Sequence, residues 1–506
     1  MKWLKLFGMV TILSGFGKLL GFFREALIAS LFGASQTADI FFVAFLIPTI
    51  LFTALGTGIQ AGIIPLYIEE KQKSAHEAAQ LMRRLGTFFI ALSLVITIIA
   101  MLLAKPLVYL FAPGFETTQL SLATMLTLIM MPSLIFMTAQ SLAQGLLHAN
   151  DTFGPPAWAP IVNNLGIIIS MYIFYNWLGI YGLAVGVLIG SILQIIIQWP
   201  WIHTSHWSSE KLMIWKEWPA IKKVLRPFWP IILASIVVQL NGVVDRVVSS
   251  FLVDGSVSAL NYGNRLLWLP LSIMLMPISV IMYPQLAKEA GKGIQSFLHL
   301  VHRGMNIIIV TALPLTIVMI LEAKLLVSLA FERGAFDNQA VNLTAMAFLF
   351  FAIALPFFAL RDYLMNSVYA YKANKVALRS CVYGVGLNII LSASLAPFIG
   401  IGGVALGTSA SMLVQSIYLY HCLKQIEKVK DTQFFVKDWL KLLVVFIIVL
   451  ISTWFLTEWI ALDQQWIRLI STTLITFILF IALVWLGKLT ILKQELNRLL
   501  RKDASS

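Results

Sequence analysis

The sequence predicts an all-α polytopic membrane protein of about fourteen transmembrane helices, and three observations predict it. Of 506 residues, 59% are hydrophobic and 12% charged, and the mean hydropathy is +0.88, too apolar for a water-soluble fold. Apolar stretches of about twenty residues, the length that crosses a bilayer core as a helix, recur along the whole chain. Lysine and arginine gather in alternate connectors, as they do in polytopic membrane proteins.

The first span is expected at 6–32. It follows Lys2 and Lys5, carries Lys18 and Arg24 inside its apolar run and lacks a small-residue cleavage pattern, so it reads as a retained helix and not a signal peptide. Span 2, at 38–67, opens on Asp39 and carries Gly56, Gly58 and Gly62. Spans 3 to 6 are expected at 85–111, 119–147, 157–176 and 181–202, with Pro132 as a kink in span 4. Span 7, at 226–251, contains Asp245 and Arg246. Span 8, at 257–286, contains Asn261, Asn264, Arg265 and Trp268 at helical spacing, then Pro270 and Pro277. Spans 9 to 14 are expected at 304–329, 339–369, 380–396, 402–422, 440–460 and 466–487. Pro314, Pro356, Arg361 and Asp362 interrupt spans 9 and 10.

One side of the membrane collects the termini and the basic segments 71–84, 211–226, 288–303, 372–379 and 424–441, with 27 of the 36 Lys and Arg. The other holds only Lys105, Lys324, Arg333 and Arg468. Both termini are therefore expected in the cytoplasm. The net charge of +13 is mostly this topological signal, which removes the reason to invoke nucleic acid. Tryptophans such as Trp177, Trp199, Trp439 and Trp466 fall at span ends, where amphipathic rings prefer the interface.

A weak repeat appears at an offset of 222: Arg24, Gly33 and Pro48 fall on Arg246, Gly255 and Pro270, and Asp39 on Asn261. Spans 1 and 7 both start on the basic side, so the repeats run parallel, related by an axis along the membrane normal. The expected organisation is two six-helix lobes related by a parallel pseudo-twofold, 1–222 and 223–424, followed by a helix pair and tail over 425–506.

Charges at membrane depth cost ~2.5–3.5 kcal/mol each on insertion scales and are kept where they face protein, water or substrate. Lys18, Gly21 and Glu25 share a face of span 1, with Arg24 one step around. Adjacent acids and bases (Arg24 with Glu25, Asp245 with Arg246, Arg361 with Asp362) point about 100° apart, so each is expected to need a partner on another span. Mutual neutralisation that merely fixes packing is the alternative. Lys18 and Arg265 have no adjacent acid, which favours a solvated cationic cavity. Guanidinium forks pair with phosphate oxygens, so the expected ligand is a phosphate or diphosphate headgroup.

No G-x-x-x-x-G-K-[ST] run exists, so ATP hydrolysis by this chain is not expected. Cys381 and Cys422 are far apart, and at the histidine pairs 203/206 and 299/302 nearby acids or thiols do not complete a zinc set, so neither a disulfide framework nor a zinc site is expected. No cofactor is expected, and the loops are too short for a catalytic domain.

The stretch GFFREALIASLFGASQTADIFFVAFLIP at 21–48 resembles the opening signature of the MurJ (MviN) lipid II flippases of the multidrug/oligosaccharidyl-lipid/polysaccharide exporter superfamily. The resemblance continues at 144–169, 261–273, FERGAFDNQA at 331–340 and 359–391, nearly the whole chain in order. It implies a central cavity between the lobes, a groove for a polyprenyl tail at helices 13 and 14, and export of an undecaprenyl-diphosphate-linked peptidoglycan precursor. It implies that Arg24 and Arg265 are cavity arginines, with Lys18 where arginine is usual and Asp39 as the family acid. The substrate-binding set is then Lys18, Arg24, Glu25, Asp39, Asn261, Asn264 and Arg265. Two departures stand out: ILFTALGTGIQ at 50–60 has no charge where a charged motif is usual, and Asn264 replaces an acid. Some relatives bind sodium, and the similar positions here are Asp245, Asn388, Val404 and Thr408, with Ser392 in place of an acid. Other cell-wall synthesis proteins are candidate partners. A flippase for another polyprenyl-linked glycan and a cation-coupled multidrug exporter are the alternatives; the excess of buried bases disfavours cationic drugs as cargo.

Overall fold

A computed structural model describes residues 2–204, 229–425, 433–460 and 464–487 of the chain. The basic segment 211–226 lies outside the described residues, as do 426–432 within 424–441 and the tail from 488.

Every regular element is helical. The first repeat comprises α1 (Lys2–Phe32), α2 (Gln36–Lys73), α3 (Ala75–Leu102), α4 (Ala104–Phe111), α5 (Thr117–Met130), α6 (Ser133–Ala149), α7 (Gly154–Leu178), α8 (Ile180–Ile196) and α9 (Trp199–Thr204). The second comprises α10 (Trp229–Ser249), α11 (Ser256–Pro270), α12 (Met276–Ala290), α13 (Ile294–Leu321), α14 (Ala323–Phe331), α15 (Asn338–Ile353), α16 (Leu355–Ala370), α17 (Asn374–Ile399) and α18 (Ile401–Gln425). The pair α19 (Gln433–Ile460) and α20 (Gln465–Leu486) follows. Among the described residues, ten stretches are long and apolar enough to cross a membrane, and α15 with α16, bent by 48°, makes an eleventh. Helices α1, α10 and α18 stand at the places of expected spans 1, 7 and 12.

Prolines set the breaks. Pro132 separates α5 from α6, Pro356 opens α16 just after the bend, and Pro270 precedes a π-helical turn at Leu271–Leu275. Pro314 lies inside α13, which continues through it.

Two connectors expected as basic loops are largely helix. Helices α2 and α3 continue through 71–84, interrupted only at Ser74, whose hydroxyl accepts from the Glu77 amide and starts α3. Lys73 pairs with Glu70 at 2.9 Å and Glu69 at 3.6 Å, spacings that extend a helix beyond the bilayer. Tyr67, Met82, Leu85, Phe89, Leu142 and Leu146 form a buried core joining α2, α3 and α6. Likewise 288–303 is mostly α12 and α13, with Lys292 on Glu289 at 2.7 Å.

The repeat is visible in the backbone. Left-handed residues recur in pairs at offsets of 221 or 222: Gly33 with Gly255, Asp151 with Lys372, and Gly179 with Gly400. Each pair occupies the same helix junction in its repeat.

By contact the chain forms two compact units, Met1–Asn261 with Arg333–Ala340, and Tyr262–Glu332 with Val341–Ser506. The first therefore contains α10 and the start of α11, beyond the repeat boundary read from sequence. In the second, α19 and α20 pack on α13. Glu322, 3% exposed between α13 and α14, accepts from Arg468 Nε at 3.1 and 3.2 Å and from the Thr472 hydroxyl at 2.8 Å. Arg468 also lies 3.7 Å from Glu458. Arg468→Ala should lower stability by about 2 kcal/mol, less than breaking a fully buried pair because the Arg468 side chain is 40% exposed. Thermal unfolding in detergent measures it, and Glu322→Gln in the same chain should restore most of the loss.

Candidate functional site

Helix α1 delivers three of the expected residues. Arg24 is 9% exposed and Glu25 2%, so neither meets bulk water. Arg24 donates through Nη2 to Glu25 Oε1 at 2.7 Å and through Nη1 to Asn164 Oδ1 at 3.1 Å. The adjacent charges thus pair with each other directly as well as through partners on other spans. Asn261 donates to the other Glu25 oxygen at 3.3 Å. Asn164 on α7 in turn donates to the Gly17 carbonyl at 3.3 Å and the Pro160 carbonyl at 2.9 Å. A buried ion pair is thus held by amides from α7 and α11, which satisfies groups that would otherwise be costly to desolvate. Arg24 Nε is buried without a hydrogen-bond partner among the described residues.

Lys18, six residues before Arg24 and so more than one turn away, is exposed and has no hydrogen bond or ion pair among the described residues. Arg265, in the second unit, is also exposed, and Asn264 beside it is half-buried. Asn164 was not among the expected site residues. Its signal was an amide inside an apolar run, too common a feature to single out.

Asp39 has a different role from direct exposure to ligand. It is 4% exposed, and its carboxylate accepts from the Gly255 amide at 2.7 Å and the Ser258 amide at 2.6 Å, capping the start of α11. This contact belongs to a tied set of connectors at the end opposite the basic segments. Ala335 N donates to the Ser30 carbonyl at 2.7 Å, and Gly114 N to the Ser250 hydroxyl at 3.1 Å. Gln36 and Gln119 both reach Asp254, each at 3.4 Å. A Cβ on Gly114 would collide with the Ser250 carbonyl, and one on Gly255 with the Ala34 carbonyl. Gly114→Ala should therefore pry the connectors apart. The expected result is faster labelling of a Val257→Cys reporter, buried at 2% exposure in the parent chain, by a membrane-impermeant maleimide.

Arg246 Nη1 donates to the Gly242 carbonyl on its own helix at 3.0 Å. Arg361 donates to Gln415 at 3.3 Å and to Cys381 Sγ at 3.5 Å. Of the positions similar to a sodium site, Asn388 Oδ1 accepts from Ser392 at 2.9 Å and Thr408 at 3.3 Å, and Ser392 reaches the Val404 carbonyl at 3.4 Å. Asp245, 7% exposed, belongs to the first unit and those four to the second.

The family model described as lipid II flippase MurJ matches residues 28–484. A probable lipid II flippase MurJ of Buchnera aphidicola subsp. Schizaphis graminum is 27% identical over 95% of this chain and 95% of its own length. The lipid II flippase MurJ of Burkholderia cenocepacia is 28% identical over 83% of this chain and 84% of its own. A solved lipid II flippase MurJ in an inward closed conformation superposes with a TM-score of 0.81 at 25% identity, covering 94% of this chain and 98% of that one. An inward-facing multidrug resistance MATE family transporter of the MOP superfamily gives 0.67 at 13% identity, over 82% and 96%, a likeness of fold alone.

Proposed function

The chain belongs to the MurJ family of lipid II flippases, and we propose that it carries lipid II from the inner to the outer leaflet by alternating access. As a member of that family it is a multi-pass transporter of the cytoplasmic membrane and not an enzyme. The observation that carries the substrate reading is a pair of cations on α1: exposed Lys18 and, six residues on, Arg24, whose Nε still has no partner among the described residues. A diphosphate offers oxygens to both, in competition with Glu25. Arg265 is the cation we assign to the second unit. Both termini are placed in the cytoplasm by the distribution of basic residues.

The membrane potential is worth ~2.3 kcal/mol per charge per 100 mV, so outward movement of a dianionic diphosphate gains about twice that. A sodium ion near Asn388, Val404 and Thr408, all in the second unit, is the second energy source proposed. Replacing sodium by choline in a proteoliposome assay separates them: an unchanged flipping rate leaves the potential alone.

The deciding experiment is rescue of a strain depleted of its own lipid II flippase, with fluorescent lipid II flipping in proteoliposomes alongside. Rescue is expected. Failure of both would favour the second reading, a flippase for another polyprenyl-diphosphate glycan, which the uncharged stretch 50–60 supports.

A further inference from the structure

The second unit contains a cavity of about 470 Å³ walled by α13, α16, α18 and α19. Its body is apolar, with Leu313, Phe357, Leu360, Leu413 and Leu443 among the walls and the Ser416 hydroxyl bonded to backbone carbonyls; its other polar groups, Tyr420, Lys424 and Trp439, stand at one end. His302 bonds the Tyr420 hydroxyl at 3.0 Å, which places a further polar ring near that end. The hollow is open on one side, with Ile417, Leu440 and Leu443 exposed, and its apolar lining gives water no partners. Within a bilayer, hydrocarbon fills it.

Its length identifies which hydrocarbon. From Leu413 to Lys424 along α18 is ~16 Å at ~1.5 Å per residue, about half of a ~30 Å bilayer core. The cavity therefore runs through one leaflet and ends on a cation at the side of the basic connectors. Basic pockets between helices on that side suit anionic lipid headgroups. We propose that this cavity is a binding site for an inner-leaflet phospholipid with an anionic headgroup, one acyl chain lying between α19 and the rest of the second unit and the headgroup phosphate on Lys424. A polyprenyl tail is too long for a pocket of one leaflet. The inner-leaflet assignment rests on the orientation proposed above; the existence of the site does not.

The test uses the purified full chain in detergent and phosphatidylglycerol carrying a diazirine on one acyl chain, so its outcome is independent of membrane orientation. Crosslinks are expected on peptides containing Phe357, Leu413 or Leu443. Leu360→Trp should cut labelling roughly tenfold, the loss of about two buried methylenes. Lys424→Gln should lower the preference for phosphatidylglycerol over phosphatidylcholine about fivefold, the worth of one lysine near a lipid surface. Crosslinks elsewhere, or a preference unmoved by Lys424→Gln, would overturn the proposal. Displacement of the label by equimolar undecaprenyl phosphate would also overturn it, by giving the pocket to the substrate's tail. Orientation is checked separately by impermeant thiol labelling of a Lys71→Cys chain in cells.

Discussion

Replacing Arg24 by alanine should both destabilise the protein and stop lipid II flipping, and the two losses should come apart in a second variant. Removing the guanidinium takes from Glu25, 2% exposed, its 2.7 Å ion pair and leaves a buried carboxylate without its neighbouring cation. Breaking a buried pair by deleting one partner costs about 3–5 kcal/mol, because the remaining charge is desolvated without compensation. Arg24→Ala/Glu25→Gln removes that orphaned charge, so its thermal unfolding should return close to the parent while flipping stays at background. If the double variant regained flipping, Arg24 would be a packing residue and the headgroup site would lie elsewhere. Arg24→Lys keeps one charge but not the fork that reaches Glu25 and Asn164 together, and is expected to retain only a minor part of the rate.

The helices were legible because hydropathy is a local property: runs of twenty apolar residues and prolines at 132, 270 and 356 mark spans and breaks without reference to anything distant. The repeat was legible for a related reason, since a left-handed junction needs a residue that tolerates it, as at Gly33 and Gly255. Contacts were less accessible. Glu25 folding onto Arg24 depends on rotamers that Asn164 and Asn261 fix from 140 and 236 residues away. The extension of α2 and α3 through 71–84 was hidden because charge suggests a loop, whereas Glu and Lys three or four apart also stabilise a helix in water. Asp39 stood in the expected set because the resemblance makes it the family acid, and its structural contacts were not legible. Its partners are two backbone amides, and backbone amides have no signature in a sequence.

Asp39→Ala should produce the largest conformational effect of any single substitution at the connectors. Two hydrogen bonds from amides to a charged acceptor are lost, each worth about 1.5–3 kcal/mol, and α11 begins with two buried donors unmet. Water entering the loosened end would satisfy part of that deficit, so a net cost of about 3 kcal/mol is expected, a shift of roughly a hundredfold from tied to separated connectors. Asn at this position keeps one acceptor and loses the charge, so Asp39→Asn should fall between the parent and Asp39→Ala. The Val257→Cys reporter measures the shift as a rise in maleimide labelling from outside, and lipid II flipping measures its consequence. Alternating access needs the outer end shut while cargo loads from the inner leaflet, so a chain biased toward separation should load poorly and flip slowly at every substrate concentration. Labelling that stayed at the parent rate in Asp39→Ala would mean that the glycine contacts alone hold the connectors, and the acid would then be left with a role at the headgroup.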